Sequence, residues 1–170
     1  MVTLVSGPVS LPDPIGATVI HVETALEMRA AVEAALPADA FIGAAAVADW
    51  RVETQAGAKI KKGERGSPTL RLVENPDILA EISHDKASRP AVVIGFAAET
   101  EDALANGRLK LARKGVDAVV VNDVSMEGIG FDAEQNAGSF LTRSGAVELP
   151  VMSKARMADR ILDEVGKLRE

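Results

Sequence analysis

Three apolar runs constrain what this chain can fold into. AFIGAAA (40–46), AVVIGFAAE (91–99) and DAVVVND (117–123) are nearly continuous stretches of Val, Ile, Ala and Phe. A strand with one wet face alternates polar and apolar residues. A run that is apolar at odd and even positions alike suits a strand covered on both faces, as in a parallel sheet. Shorter strand patterns surround these runs. VTLVSG (2–7) reads as a buried strand stopped by Gly7-Pro8, and PVSLPDP as a rigid loop. TVIHV (18–22) and the alternating TLRLVE (69–74) read as two more strands, and GSFLTRSGAVEL (138–149) as a hairpin around Ser144-Gly145.

Helix signals fill the intervals. In TALE, Thr24 caps a helix and Glu27 closes a capping box; Met28, Ala31, Val32, Ala35 and Leu36 then form one apolar face. Asn75-Pro76-Asp77 reads as a helix start, with Asn75 as cap and Pro76 at the first helical position. A helix over about 101–114 is closed by Gly115, and an amphipathic helix spans 153–168. Strands alternating with helices predict an α/β fold: a three-layer, mostly parallel, Rossmann-like sheet with helices on both faces and a C-terminal hairpin. A chain of 170 residues is most simply one domain, 1–170. Ligands of such sheets sit beyond the carboxyl ends of the strands, which selects VADWR (47–51), FAAET (96–100) and NDVS (122–125).

Composition removes several functions. With no cysteine, disulfides and thiolate metal sites are excluded, and the two histidines, His21 and His84, are far apart, against a zinc site or a Ser-His-Asp triad. A net charge of −6 and 3% aromatics disfavour nucleic-acid binding. No apolar run approaches the roughly 20 residues of a membrane helix. The opening MVTLVSGPVS lacks the basic start and long apolar centre of a signal peptide, and the absence of cysteine suits the cytoplasmic location that is expected. There is no GxGxxG and no P-loop, which disfavours a nicotinamide-dependent oxidoreductase.

What remains are a few polar residues with two readings each. Asp49, after the third strand, could hold a ribose hydroxyl or a metal, or simply cap a loop. In AGAKIKKGERG (56–66) three lysines, Lys59, Lys61 and Lys62, fall within four positions between glycines. If the segment is extended, Lys59 and Lys61 share a face, which suits either an anion-covering mobile arm or a lysine-protected strand edge. Lys110 and Lys114, one helical turn apart opposite Ala105, Leu109 and Ala112, could reach one polyphosphate or form a solvated face. Phe96 could stack on a base or pack in the core. The helix start at Asn75 offers N–H groups to a base or sugar, and Asp77 in its first turn opposes a phosphate.

VTLVSGPVSLP, TALEM, FIGAAAVADWR, KIKK, ENPDIL, VIGFAAET and VNDVS follow one another in this order. Through them almost the whole chain resembles the phosphopantothenate–cysteine ligase domain of bacterial coenzyme A biosynthesis, which is commonly fused behind an FMN-dependent decarboxylase. The resemblance implies a reaction of 4′-phosphopantothenate, cysteine and CTP through an acyl-cytidylate, releasing pyrophosphate and then CMP. It implies that Asp49, Lys59, Phe96, Lys110 and Lys114 contact CTP, and that Asn75, Pro76, Asp77, Ile78 and Leu79 line the cytidine pocket. Lys59 would be catalytic, Mg²⁺ would ride on the triphosphate, and the lysine arm would cover the site and build a homodimer. The FMN would belong to the decarboxylase. The family's glycine-rich first unit and SNRSSG-like segment have no counterpart here, so an N-terminally truncated chain is expected, one that binds CTP and condenses little or no cysteine. The alternative is a non-catalytic nucleotide-binding or dimerisation module.

Overall fold

The computed structural model describes residues 1–61, 69–99, 102–123 and 133–169. Their contacts group into two compact units, residues 1–32 with 46–77 and residues 33–45 with 78–170.

The first unit holds two small sheets. Strands β1 (Val2–Ser6) and β2 (Ala17–His21) pair in parallel, with Val2 opposite Ala17 and Ser6 opposite His21. Strands β4 (Trp50–Val52) and β5 (Leu72–Glu74) pair antiparallel, with Trp50 opposite Glu74 and Val52 opposite Leu72. The expected burial of VTLVSG is not seen, for residues 2–4 are exposed; a sheet of two strands has too little apolar neighbourhood to cover them. Helix α1 (Ala25–Ala34) starts with the capping box in both directions. The Glu27 N–H donates to Thr24 Oγ1 at 3.1 Å, and the Thr24 and Glu23 N–H groups donate to Glu27 Oε2 at 3.0 and 2.8 Å.

The second unit is built on a five-stranded sheet ordered β3-β6-β7-β8-β9. Its strands are β3 (Ala40–Gly43), β6 (Val92–Glu99), β7 (Ala118–Asp123), β8 (Gln135–Thr142) and β9 (Ala146–Ser153). The β3–β6 and β6–β7 pairings are parallel, while β7–β8 and β8–β9 are antiparallel. The sheet is thus mixed rather than mostly parallel. Residues 143–145 return the chain directly into β9, and so short a connection can join only antiparallel neighbours. Strand β3 lies at an edge, so Ile42 is exposed although AFIGAAA reads as a strand covered on both faces.

Alternation of side chains sorts the core into two halves. Val92, Ile94, Ala118, Val120, Phe140 and Leu149 face Met157, Ile161 and Val165 of helix α4 (Lys154–Leu168). On the opposite face Val93, Ala97, Val119, Val121 and Leu141 pack with Leu79 of helix α2 (Ile78–His84) and Leu111 of helix α3 (Ala103–Lys114). Helix, sheet and helix make the three layers, each strand of the centre giving alternate residues to each side. Both ends of this arrangement are fastened locally. Gly115 closes α3 at φ 66°, its N–H reaching the Leu111 and Ala112 carbonyls, and Ser153 Oγ caps α4 by accepting from the Arg156 N–H at 3.3 Å.

Candidate functional site

The residues singled out from the sequence divide between the two units. In the first unit, Asp49 is exposed just before β4. Asn75 does not cap a helix: α2 begins only at Ile78. Its amide is used over a long sequence distance instead. Asn75 Nδ2 donates to the Ala48 carbonyl at 2.8 Å, and Oδ1 accepts from Arg51 Nη1 at 3.3 Å. The Asn75 N–H donates to the Asp49 carbonyl at 2.8 Å, and Arg51 Nη1 also donates to the Glu74 carbonyl. Residues 48–51 and 74–75 are therefore cross-linked on both sides of Asp49. Nothing marks Arg51 in the sequence beyond its place in VADWR, and its role depends on a partner 24 residues away.

Lys59 and Lys61 are exposed, in a stretch between β4 and β5 that has no strand among the described residues. The expectation that they share one face of an extended segment finds no regular strand behind it. Lys62, Gly63 and Gly66 lie outside the described residues. Pro76 is half-buried and Asp77 exposed at the unit's carboxyl end.

In the second unit, Ile78 is buried and Leu79 packs across two glycines that are register partners, Gly43 of β3 and Gly95 of β6. A Cβ on Gly95 would lie 2.6 Å from Leu79 Cδ2, and one on Gly43 would lie 3.2 Å from Cδ1. Glycine within an apolar strand marks such a close approach, and this signal was available in AFIG and VVIG.

Phe96 is half-buried against the α4 side of the core, and its carbonyl accepts a hydrogen bond from Lys110 Nζ. Beyond it, Asn106 Nδ2 donates to Glu99 Oε2 at 3.0 Å, so α3 is tied twice to the carboxyl half of β6. Lys110 and Lys114 are half-buried. They do not lie opposite a buried Ala105, Leu109 and Ala112 stripe: those three residues are exposed, and α3 buries Gly107 and Leu111. The lysines consequently flank the packed face. The cause is Gly107, which adds nothing to an apolar count yet allows α3 to approach β7 closely; a Cβ there would stand 2.5 Å from Val121 Cγ2. Asn122, near the end of β7, has a buried Oδ1 without a hydrogen-bond partner among the described residues.

Two carboxyl groups away from these residues are held below the usual carboxylate range. Glu27 is held down first by the Glu23 N–H and then by the Thr24 N–H, and Asp85 first by the Ser88 hydroxyl and then by the Ala87 N–H. Among the described residues no group of three or more His, Cys, Asp or Glu side chains could hold a metal ion, and no helix is long and apolar enough to cross a membrane.

A mixed sheet with helices packed on both faces defines an α/β domain. The chain belongs to the DNA/pantothenate metabolism flavoprotein C-terminal domain family, which matches residues 1–168. It is 44% identical over 163 residues to the coenzyme A biosynthesis bifunctional protein CoaBC of Vibrio cholerae, covering 95% of this chain and 41% of that protein. The corresponding protein of Escherichia coli K12 is 46% identical over 167 residues, covering 96% of this chain and 41% of that protein. The chain thus spans about two fifths of the length of these relatives. Among solved structures, the C-terminal domain of a CoaBC superposes with a TM-score of 0.76 at 30% identity, covering 96% of this chain and 71% of that one. A pantothenate metabolism flavoprotein of Streptococcus pneumoniae gives 0.73 at 17% identity, a likeness of fold.

Proposed function

We propose that this chain works in coenzyme A biosynthesis as the CTP-dependent phosphopantothenate–cysteine ligase part of a bifunctional protein. The observation that carries the reading is the family match over residues 1–168 together with relatives named for coenzyme A biosynthesis. In the proposed reaction a carboxylate oxygen of 4′-phosphopantothenate attacks the α-phosphorus of CTP. The bond to the bridging oxygen breaks and pyrophosphate leaves. The amine of cysteine then attacks the acyl carbon, loses a proton, and displaces CMP to give the amide.

Charge moves around one phosphorus throughout, so fixed ammonium groups help most where that charge is greatest. Lys59 is assigned to the acyl-cytidylate and its transition states. Lys110 and Lys114 are assigned to phosphate, Asp49 to the nucleotide, and Phe96 with the stretch Asn75–Leu79 to cytidine. The tie from Lys110 to the Phe96 carbonyl supports this assignment, because it fixes an ammonium group on β6. Mg²⁺ is taken to arrive on the triphosphate, where it keeps several waters and needs few protein ligands; the described residues hold no acidic cluster that would bind it first.

A homodimer is part of the proposal. Trp50, Val52 and Leu72 lie on one face of the β4–β5 ribbon and are 54%, 38% and 53% exposed, an apolar surface suited to a second copy of the arm.

The test is a thermal melt with nucleotides. A ligand bound only by the folded form raises the melting temperature. CTP with Mg²⁺ should raise it, ATP less so, and NAD⁺ not at all. No shift with CTP at concentrations well above the millimolar range would overturn the reading.

A further inference from the structure

We propose that Asn75 is a positioning residue for Asp49, and not itself a nucleotide contact. This rests on the CTP reading above and revises it at one residue, taking Asn75 out of the cytidine contacts and leaving Pro76 to Leu79. The Asn75 side chain is engaged at both ends of its amide: one hydrogen goes to the Ala48 carbonyl at 2.8 Å, and Oδ1 receives Arg51 at 3.3 Å. An asparagine amide has two hydrogens and two lone pairs on its oxygen, so these two bonds take half of its capacity and fix the orientation of the group on Ala48 and Arg51. Its backbone N–H is spent too, on the Asp49 carbonyl at 2.8 Å.

Each of these bonds acts on the short segment that presents Asp49. Ala48 is held through its carbonyl on one side and Arg51 through its guanidinium on the other; Asp49 is held at its own carbonyl. The clamp engages the backbone carbonyl of Asp49, and the residue itself is exposed. Arg51 closes the ring, donating from the same Nη1 to the Glu74 carbonyl. A loop carboxylate would otherwise lose entropy on meeting its ligand; a clamped one has lost it already. Asn75 thereby stands beside the ligand-binding stretch without touching the ligand.

A double-mutant cycle on the whole chain, read by CTP titration calorimetry, separates the two roles. Asn75→Ala and Asp49→Ala should each weaken CTP binding about tenfold. The double variant should be no weaker than Asp49→Ala alone, because the asparagine acts through the aspartate. Additive losses would make Asn75 a direct contact and overturn the proposal. Hydrogen exchange of the ligand-free chain reads the clamp without any nucleotide. Exchange across residues 47–53 should quicken in Asn75→Ala and also in Asn75→Asp, which keeps the acceptor for Arg51 but loses the donor to Ala48. Unchanged exchange in Asn75→Asp would refute the fastening at Ala48, and serves where the alanine variant fails to fold. Wild-type chain that ignores CTP while the exchange result holds would sink the nucleotide reading, leaving the clamp.

Discussion

Lys110 Nζ donates to the carbonyl oxygen of Phe96, so a cation on α3 is fastened to the backbone of the interior strand β6. A lysine stem is normally free to sweep through solvent. Here its ammonium group is held in one neighbourhood before any ligand arrives, which reduces the ordering that binding must supply. Lys110→Met keeps much of the stem and removes the charge. Affinity for CTP should fall by about tenfold or more, as for a lost hydrogen bond to a charged group. Cytidine affinity should change much less. Calorimetric titration of both ligands checks this; equal losses would place Lys110 away from phosphate.

Lys59 carries a different expectation. Lys59→Gln should leave CTP binding nearly as it was and slow the formation of amide from cysteine, because its contribution is to charge that develops in the transition state. A rapid-quench assay would follow the acyl-cytidylate and the amide separately. Undiminished amide formation would remove Lys59 from the chemistry.

The exposed face of the β4–β5 ribbon makes the dimer testable. Trp50→Lys puts a charge into the middle of Trp50, Val52 and Leu72. Multi-angle light scattering should show a dimer for the wild type and a shift toward monomer for the variant. A wild type that is monomeric at high concentration would count against the arm as an interface.

Stability of the second unit depends on one polar knot. Arg89 donates to Asp117 Oδ2 at 2.8 Å, to the Ser83 carbonyl at 2.9 Å and to the Pro90 carbonyl at 2.9 Å, while the Val93 N–H donates to the same Asp117 oxygen at 2.7 Å. The knot joins the end of α2 to the entries of β6 and β7. Asp117→Ala leaves a guanidinium and a strand N–H without their shared acceptor, and should destabilise by about 2 kcal/mol. Urea unfolding would show this as a lower midpoint at unchanged slope.

The capping box predicts a dependence on acid. The Glu27 carboxyl is held below its ordinary value, first by the Glu23 N–H and then by the Thr24 N–H. A carboxyl depressed on folding stabilises above its unfolded pKa, and that contribution disappears as pH falls through its folded one. The melting temperature of the wild type should exceed that of Glu27→Gln at neutral pH. The gap should close as the solution is taken below the carboxylate range. A gap that is constant with pH would assign the effect to something other than the charged cap.

Short-range order in this chain is written in the sequence. The reciprocal bonds between Thr24 and Glu27, the Gly115 closure of α3 and the continuous apolar runs of β6 and β7 depend on residues within a turn or within a single strand. Such terms are present whatever the rest of the chain does, so they can be read in advance. The tertiary structure decided the rest. It set β3 at an edge, turned the sheet mixed, and rotated α3 so that Gly107 and Leu111, not Leu109, meet β7. It also drew Asn75 away from helix capping and onto Ala48, 27 residues earlier. A side-chain amide can satisfy itself locally or at a distance for similar energy, and only the packed arrangement of the whole unit determines which partner lies within reach.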